Sequence, residues 1–323
     1  MNKKYDDKFI YICTKLFNYN DKLQAEYLES SLKNKLNCNI FMPFRDTDEN
    51  KLTGSNRTKI IYDADIERLN SGNVILLAAL YDGICKDEGI SFELGYAYGK
   101  GIPIFIINTD FIWYAMENKE FIFDPIVERM CSDYLHQYQI KEHESFYDSL
   151  MLSQKGAYDL AAERISDILS ENTIFKSSIS KENLMNDVFI DFGGGKYEYQ
   201  REYAKWIKEK LTSMSISVKV SNRYSRIEQT SALEDLENLL NSTYYICLGD
   251  EVELNSGTAA LMGLARCKGK KIILYESSNL EIHGENGHCM KKNLMIDFSV
   301  DKVAKTKKQI IDIIVEEEQC LKN

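Results

Sequence analysis

Val74-Ile-Leu-Leu-Ala-Ala-Leu80, Asp87-Glu-Gly-Ile-Ser-Phe-Glu-Leu-Gly-Tyr-Ala97 and Ile102-Pro-Ile-Phe-Ile-Ile-Asn108 follow one another in the chain, and their reading decides the fold. Two apolar runs of strand length flank a Gly/Ala-rich stretch of helical character that ends in Gly99. Upstream, the apolar run Phe9 to Cys13 precedes a helical stretch near Asp21 to Lys35, where Leu23, Tyr27, Leu28, Leu32 and, just beyond, Leu36 recur at helical spacing. The apolar run Asn39 to Phe44, a polar loop through Arg57 and a second helical segment, Lys59 to Leu69, complete the approach to Val74. Downstream, aromatic-rich irregular sequence leads into a long helical pattern from Tyr147 to Leu169. Strands that alternate with helices predict a parallel sheet covered by helices on both faces, the α/β flavodoxin/Rossmann-like class.

The order then repeats. Val188 to Phe192, Glu198 to Leu211, Val218 to Val220, Ala232 to Leu240, Tyr244 to Leu248 and Lys271 to Tyr275 read as β, α, β, α, β and β. Residues recur as well. Asp65-Ile-Glu-Arg-Leu-Asn-Ser71 has a counterpart in Asp235-Leu-Glu-Asn-Leu-Leu-Asn-Ser242, and the segment from Asp87 to Gly95 has one in Asn255-Ser-Gly-Thr-Ala-Ala-Leu-Met-Gly263. An internal duplication explains both, and predicts two domains, 1–180 and 181–323, packed as a pseudo-dimer. The boundary is expected in the Ser/Lys/Asn-dense stretch from Ser177 to Asp187, where periodicity lapses.

Composition narrows the function. At 323 residues, with 44% hydrophobic and 28% charged residues and 3 prolines, the chain has ample material for a core. A net charge of −10 removes the general basic field on which phosphate-backbone binding depends, so a small-molecule partner is expected and nucleic acid is not. The 8 cysteines form no CxxC pair or Cys/His cluster, which speaks against a metal site. Several, such as Cys13 and Cys247, sit in apolar runs where a free thiol acts as a small core residue, as in a reducing cytoplasm. No run of 18 apolar residues suggests a membrane span or anchor.

Asp87 and Glu93 are the chemical candidates. They fall just beyond the carboxyl end of a strand, where open α/β sheets bind ligands. Early in a helix, a carboxylate at Glu93 would be kept ionised and nucleophilic by the positive end of the helix dipole. Two carboxylates suit a glycosidic centre, one attacking or stabilising the anomeric carbon while another serves the leaving group's proton. A capping acid and a solvated helix face would leave the same residues in the same places, since acids are common in first helical turns. Elsewhere, Gly193 to Lys196 reads as a turn or a phosphate nest, and His283 and His288 read as surface-loop residues.

These residues carry a resemblance. Tyr11-Ile-Cys-Thr-Lys-Leu-Phe17, Asp65, the string Asp87-x-Gly-x-x-x-Glu93-x-Gly-Tyr-Ala97 and Gly101-Ile-Pro103-Ile resemble the nucleoside 2-deoxyribosyltransferase family over roughly residues 9–110. The resemblance implies Glu93 as the nucleophile of a glycosyl-enzyme intermediate. It implies that Asp87 orients sugar and nucleophile, that Asp65 assists protonation of the departing base, that Tyr11 hydrogen-bonds near Glu93, and that Phe17 packs on the base with Gly89 lining the pocket. Members of that family complete each site with an asparagine from a neighbouring subunit, in an Asn-x-Met segment after the domain's last strand. Here Asn293-Leu-Met295 stands in the second repeat, and the first has Asp124 instead. Asn293 and Met295 are thereby implied to complete the site from the other half.

The chain also departs from the family. Cys13, Thr14 and Lys15 replace small residues and Gly-Pro, and Lys15 reads equally as solvated or as a contact to an anionic substrate. The Gly/Ser loop that related nucleotide N-hydrolases use for a 5′-phosphate is missing after Tyr11, which favours a nucleoside over a nucleotide. In the second repeat Asn255 and Leu261 replace Asp87 and Glu93, so only the first repeat is expected to work. The resulting expectation is a cytoplasmic, cofactor-free glycosyltransferase acting on a nucleoside or nucleotide and a nucleobase, with room for homo-oligomers of pseudo-dimers. Hydrolysis of a nucleoside, nucleotide or dinucleotide by the same carboxylates and a non-catalytic nucleotide-sensing module are the alternatives.

Overall fold

The computed structural model describes residues 7–47, 51–52, 54, 56–83, 86–111, 114–116, 119–170, 186–192, 197–222, 229–278, 283–285 and 288–322. The boundary expected from Ser177 to Asp187 falls mostly outside them, and Gly193 to Lys196 does so entirely.

The first half runs β1 (Phe9–Cys13), α1 (Tyr19–Lys35), β2 (Asn39–Phe41), α2 (Pro43–Asp46), α3 (Arg57–Asn70), β3 (Val74–Leu80), α4 (Glu88–Lys100), β4 (Ile104–Asn108), the hairpin β5 (Tyr114–Met116) and β6 (Lys119–Phe121), α5 (Pro125–Met130), β7 (Asp133–His136) and α6 (Phe146–Ser170). The second half runs β8 (Asn186–Asp191), α7 (Glu198–Ser213), β9 (Val218–Val220), α8 (Gln229–Leu240), β10 (Ser242–Leu248), α9 (Ser256–Cys267), β11 (Lys271–Tyr275), the hairpin β12 (His283–Glu285) and β13 (His288–Met290), α10 (Leu294–Asp297), β14 (Lys302–Ala304) and α11 (Lys307–Lys322). The strands form two five-stranded sheets, β2-β1-β3-β4-β7 and β14-β11-β10-β8-β9, and every pairing within each is parallel. Read from its own first strand, each sheet has the same order, so the chain is α/β and Rossmann-like twice over.

Strand alternation divides the apolar residues into layers. In the first sheet Ile10, Ile12, Leu76, Ala78, Phe105 and Ile107 face α1 and α6, whose Leu28, Leu32, Tyr158 and Ile165 close that core. Residues of the opposite face, among them Tyr11, Leu77 and Ile106, join Phe189, Tyr245, Cys247 and Leu274 of the second sheet in one shared core. Between the sheets, α4 and α9 cross at touching backbones. A Cβ on Gly95 would lie 1.8 Å from the Ala260 carbonyl oxygen, and one on Gly263 would lie 1.9 Å from that of Phe92. Gly95 and Gly263 are counterparts in the repeat, so the two helices meet about a pseudo-twofold axis.

Three expectations need correction. The run Asn39 to Phe44 is a strand only to Phe41, because Pro43, with its fixed φ and missing N–H, starts α2. The Asn293 segment lies before the last strand, β14, and Asn293 N-caps α10. His283 and His288 stand on hairpin strands rather than in a loop.

Candidate active site

In a sheet of order β2-β1-β3-β4-β7, the direction of winding reverses between β1 and β3, which opens a crevice at their carboxyl ends. Tyr11 and Cys13, two residues apart in β1, face the same side, toward α4. There the Tyr11 hydroxyl donates to Glu93 Oε1 at 2.5 Å, and the Cys13 thiol donates to Glu93 Oε2 at 2.7 Å. Burial, first, and the neighbouring carboxylates hold the phenol and the thiol well above their usual pKa values. Both therefore stay protonated and serve as donors, one to each oxygen of Glu93.

Glu93 lies more than one turn into α4, which starts at Glu88. The helix dipole fades within its first turn, so it is these two donors, more than the dipole, that favour a carboxylate here. Asp87 is the N-cap of α4, its side chain accepting from the Ile90 N–H at 2.8 Å. Burial raises its pKa, against the lowering effect of the Ile90 and Gly89 amides and of Lys15. Asp87 is thus both a capping acid and a wall of the cavity.

That cavity, of about 290 Å³, is lined by Phe17, Asp65, Asp87, Gly89, Glu93, Asn293 and Met295, with Lys15, Lys22, Phe44 and Arg57 among the remaining walls. Of the residues expected at the site, Tyr11 alone does not line it, being fully buried behind Glu93. Asp65 stands on α3 and is itself buried. Phe17, 70% exposed, sits at the mouth. Asn293 arrives from the second half: a Cβ on Gly89 would lie 2.8 Å from its Nδ2 and 3.0 Å from Asp87 Oδ1, so only glycine leaves room for the amide beside that carboxylate. The Asn293 Oδ1 accepts from the Met295 N–H at 2.9 Å.

Sequence reading missed two contributors. Cys13 reads from sequence as core filling, although alternation along β1 sets it on the face of Tyr11. Glu88 carries no motif of its own, and nothing in the sequence singles it out. The second repeat mirrors the frame without the chemistry. Asn255 N-caps α9 as Asp87 caps α4, Asp124 packs on Gly257 as Asn293 does on Gly89, and a fully buried Leu261 takes the place of Glu93. Among the described residues no group of three or more His, Cys, Asp or Glu could hold a metal ion, and no helix is long and apolar enough to cross a membrane.

The model of the nucleoside 2-deoxyribosyltransferase family matches residues 10–151. A solved structure described as a conserved protein from Enterococcus faecalis V583 resembles the chain at 21% identity and a TM-score of 0.31, covering 51% of this chain and 98% of that one. No curated protein matches.

Proposed function

We propose, starting from a chain whose residues 10–151 match the nucleoside 2-deoxyribosyltransferase family, that the cavity moves a ribosyl or deoxyribosyl group between nucleobases by way of Glu93. The observation that carries this reading is the Glu93 carboxylate, held at both oxygens by Tyr11 and Cys13, in a cavity shared with Asp65, Asp87 and Asn293. In the first step a Glu93 oxygen attacks the anomeric carbon, the N-glycosidic bond breaks, and the departing base takes its electron pair together with a proton assisted by Asp65. In the second step a nitrogen of an incoming base attacks that carbon, the ester bond to Glu93 breaks, and the incoming base loses its proton to Asp65. Asp87 and Asn293 orient the hydroxyl end of the sugar, and Phe17 stacks on the base. Because Phe17 leaves the mouth exposed, water can replace the acceptor base, which makes the same site an N-glycosidase.

Incubation with a panel of nucleosides, with and without free bases, followed by chromatography, tests the reading and separates transfer from hydrolysis. Glu93→Ala should abolish either reaction while the fold persists; a rate above roughly a tenth of wild type would remove Glu93 from the role. A slow 2-fluoro-type substrate should label one residue per chain, Glu93, and a label in the second repeat would overturn the assignment.

A further inference from the structure

Asn293 can serve the site only if something holds the second half's loop in place over Gly89. Glu88, next to Asp87 and 2% exposed, does so with both of its oxygens. Its Oε1 accepts from the Asn293 N–H at 2.6 Å and its Oε2 from the Leu254 N–H at 2.7 Å, partners 205 and 166 residues away. Asn293 is the N-cap of α10, and Leu254 directly precedes Asn255, the N-cap of α9. Amides at a helix start have no partner within their own helix. In a capping box a glutamate of the same helix reaches back to serve the N-cap N–H. Here the glutamate comes from the other repeat, and it joins the starts of α4, α9 and α10 at a single carboxylate.

Neighbouring contacts belong to the same assembly. Lys292, 1% exposed, donates to the carbonyls of Glu251 and Val252, so the segment before Leu254 and the segment before α10 are also tied to each other. The repeat counterpart of Glu88 is Ser256, whose hydroxyl is too short to bridge two helix starts. At this position of the repeat, therefore, the carboxylate belongs to the side that keeps Glu93.

We propose that Glu88 is a positioning residue of the Glu93 site, acting through Asn293: its carboxylate fixes the second repeat's Asn293 loop against α4 so that the asparagine amide meets the sugar. This inference rests on the reading of Asn293 as a substrate contact. It gives the second repeat, which lacks a nucleophile, a defined task.

The test uses the full-length protein and two readouts. Glutamine keeps the shape of Glu88 but has only one acceptor oxygen, so Glu88→Gln loses one of the two bonds. Hydrogen exchange by mass spectrometry should show at least tenfold faster exchange in the peptide covering Leu254 or in that covering Asn293, whichever amide loses its acceptor, with the middle of α9 unchanged. Unchanged exchange at both sites would overturn the clamp, whatever the protein's activity. In kinetics on whichever nucleoside the wild type turns over, Glu88→Gln and Asn293→Ala should each lower kcat/KM about tenfold or more. The double variant should be no worse than the more impaired single one, because the two act as a unit. Losses that multiply would show that Glu88 does not act through Asn293. If Glu88→Gln does not fold, Glu88→Asp, which keeps the charge but is one methylene short of spanning both amides, should give the same pattern. A wild type inert on every nucleoside would overturn the proposed function and leave the exchange result to decide the clamp.

Discussion

At the scale of single residues, the site is a carboxylate with a donor on each oxygen, and the two donors differ in strength. The Tyr11 hydroxyl is a strong donor to Glu93, and the Cys13 thiol a weak one that stays protonated through burial. On the nucleophile we propose, a weak donor is useful, since an attacking oxygen must give up part of its hydrogen bonding as an ester forms. Removing the thiol in Cys13→Ala leaves one oxygen of Glu93 without that donor. The rate at neutral pH should fall roughly fivefold, for a bond worth about 1 kcal/mol. Cys13→Ser, which restores a donor, should recover most of that rate; an unchanged rate in Cys13→Ala would leave the thiol a filler. Tyr11 and Glu93 were legible in sequence because their spacing resembles a known string. The Cys13 contact was not, because a thiol in an apolar run reads first as packing, and only the pairing of β1 with α4 reveals its partner.

At the scale of elements, α4 concentrates the site in its first turns, where one residue carries more than one duty. Asp87 caps the helix and also walls the cavity, and the duties can be separated. Asp87→Ser keeps a cap but removes the carboxylate, whereas Asp87→Ala removes both. Both variants should lose most turnover, but only Asp87→Ala should also lose about 1 kcal/mol of stability in thermal or denaturant melts. Equal stabilities would mean that the cap contributes nothing. Glu88, beside it, has its pKa raised to about 7 by burial, against the lowering effect of the Asn293 and Leu254 amides and of Lys292 and with a small upward push from Asp87. A carboxyl whose folded pKa is raised adds stability that is complete below its unfolded value, and that stability is lost as pH rises through the folded value. Between about pH 4.5 and 7.5 the wild type should therefore lose up to about 3 kcal/mol relative to Glu88→Gln. Melting curves that keep a constant offset across that range would contradict the assignment. Periodicity made the order of the main strands and helices legible up to β11, but not the two hairpins, the short helices α2, α5 and α10, the helix α11, or the strands β7 and β14. The strands β7 and β14 are short edge strands, recognisable mainly by the neighbours they pair with.

At the scale of the whole molecule, the duplication makes one cavity from two unequal halves, and the α4/α9 crossing holds them in register. The recurrence of Asp87 to Gly95 as Asn255 to Gly263 made the pseudo-dimer legible in the chain. What the recurrence could not tell was that its final glycines are the points of contact. That is a matter of backbone approach, visible only when both helices are in place. Gly95→Ala would bring a methyl group to 1.8 Å from the Ala260 carbonyl oxygen, and Gly263→Ala would bring one to 1.9 Å from that of Phe92. Neither obstacle is a side chain that can swing away, so the helices must separate. Gly99, on the same helix, is the milder comparison: its added Cβ would meet the Cys267 Sγ at 2.7 Å and the Leu264 Cδ1 at 3.1 Å, which can rotate away, and the Cys267 Cβ at 2.9 Å, which needs only a small backbone shift. In urea titrations Gly95→Ala and Gly263→Ala should each lose about 2–3 kcal/mol or more, and Gly99→Ala clearly less. The double variant should lose less than the sum, since the first methyl already pries open the crossing that the second would strain. Because Asn293 reaches the Glu93 cavity across this same contact, residual turnover should fall in Gly95→Ala even at urea-free stability sufficient to keep the fold. A Gly95→Ala protein with wild-type kcat/KM would show that the two halves can part at α4 and α9 without disturbing the site.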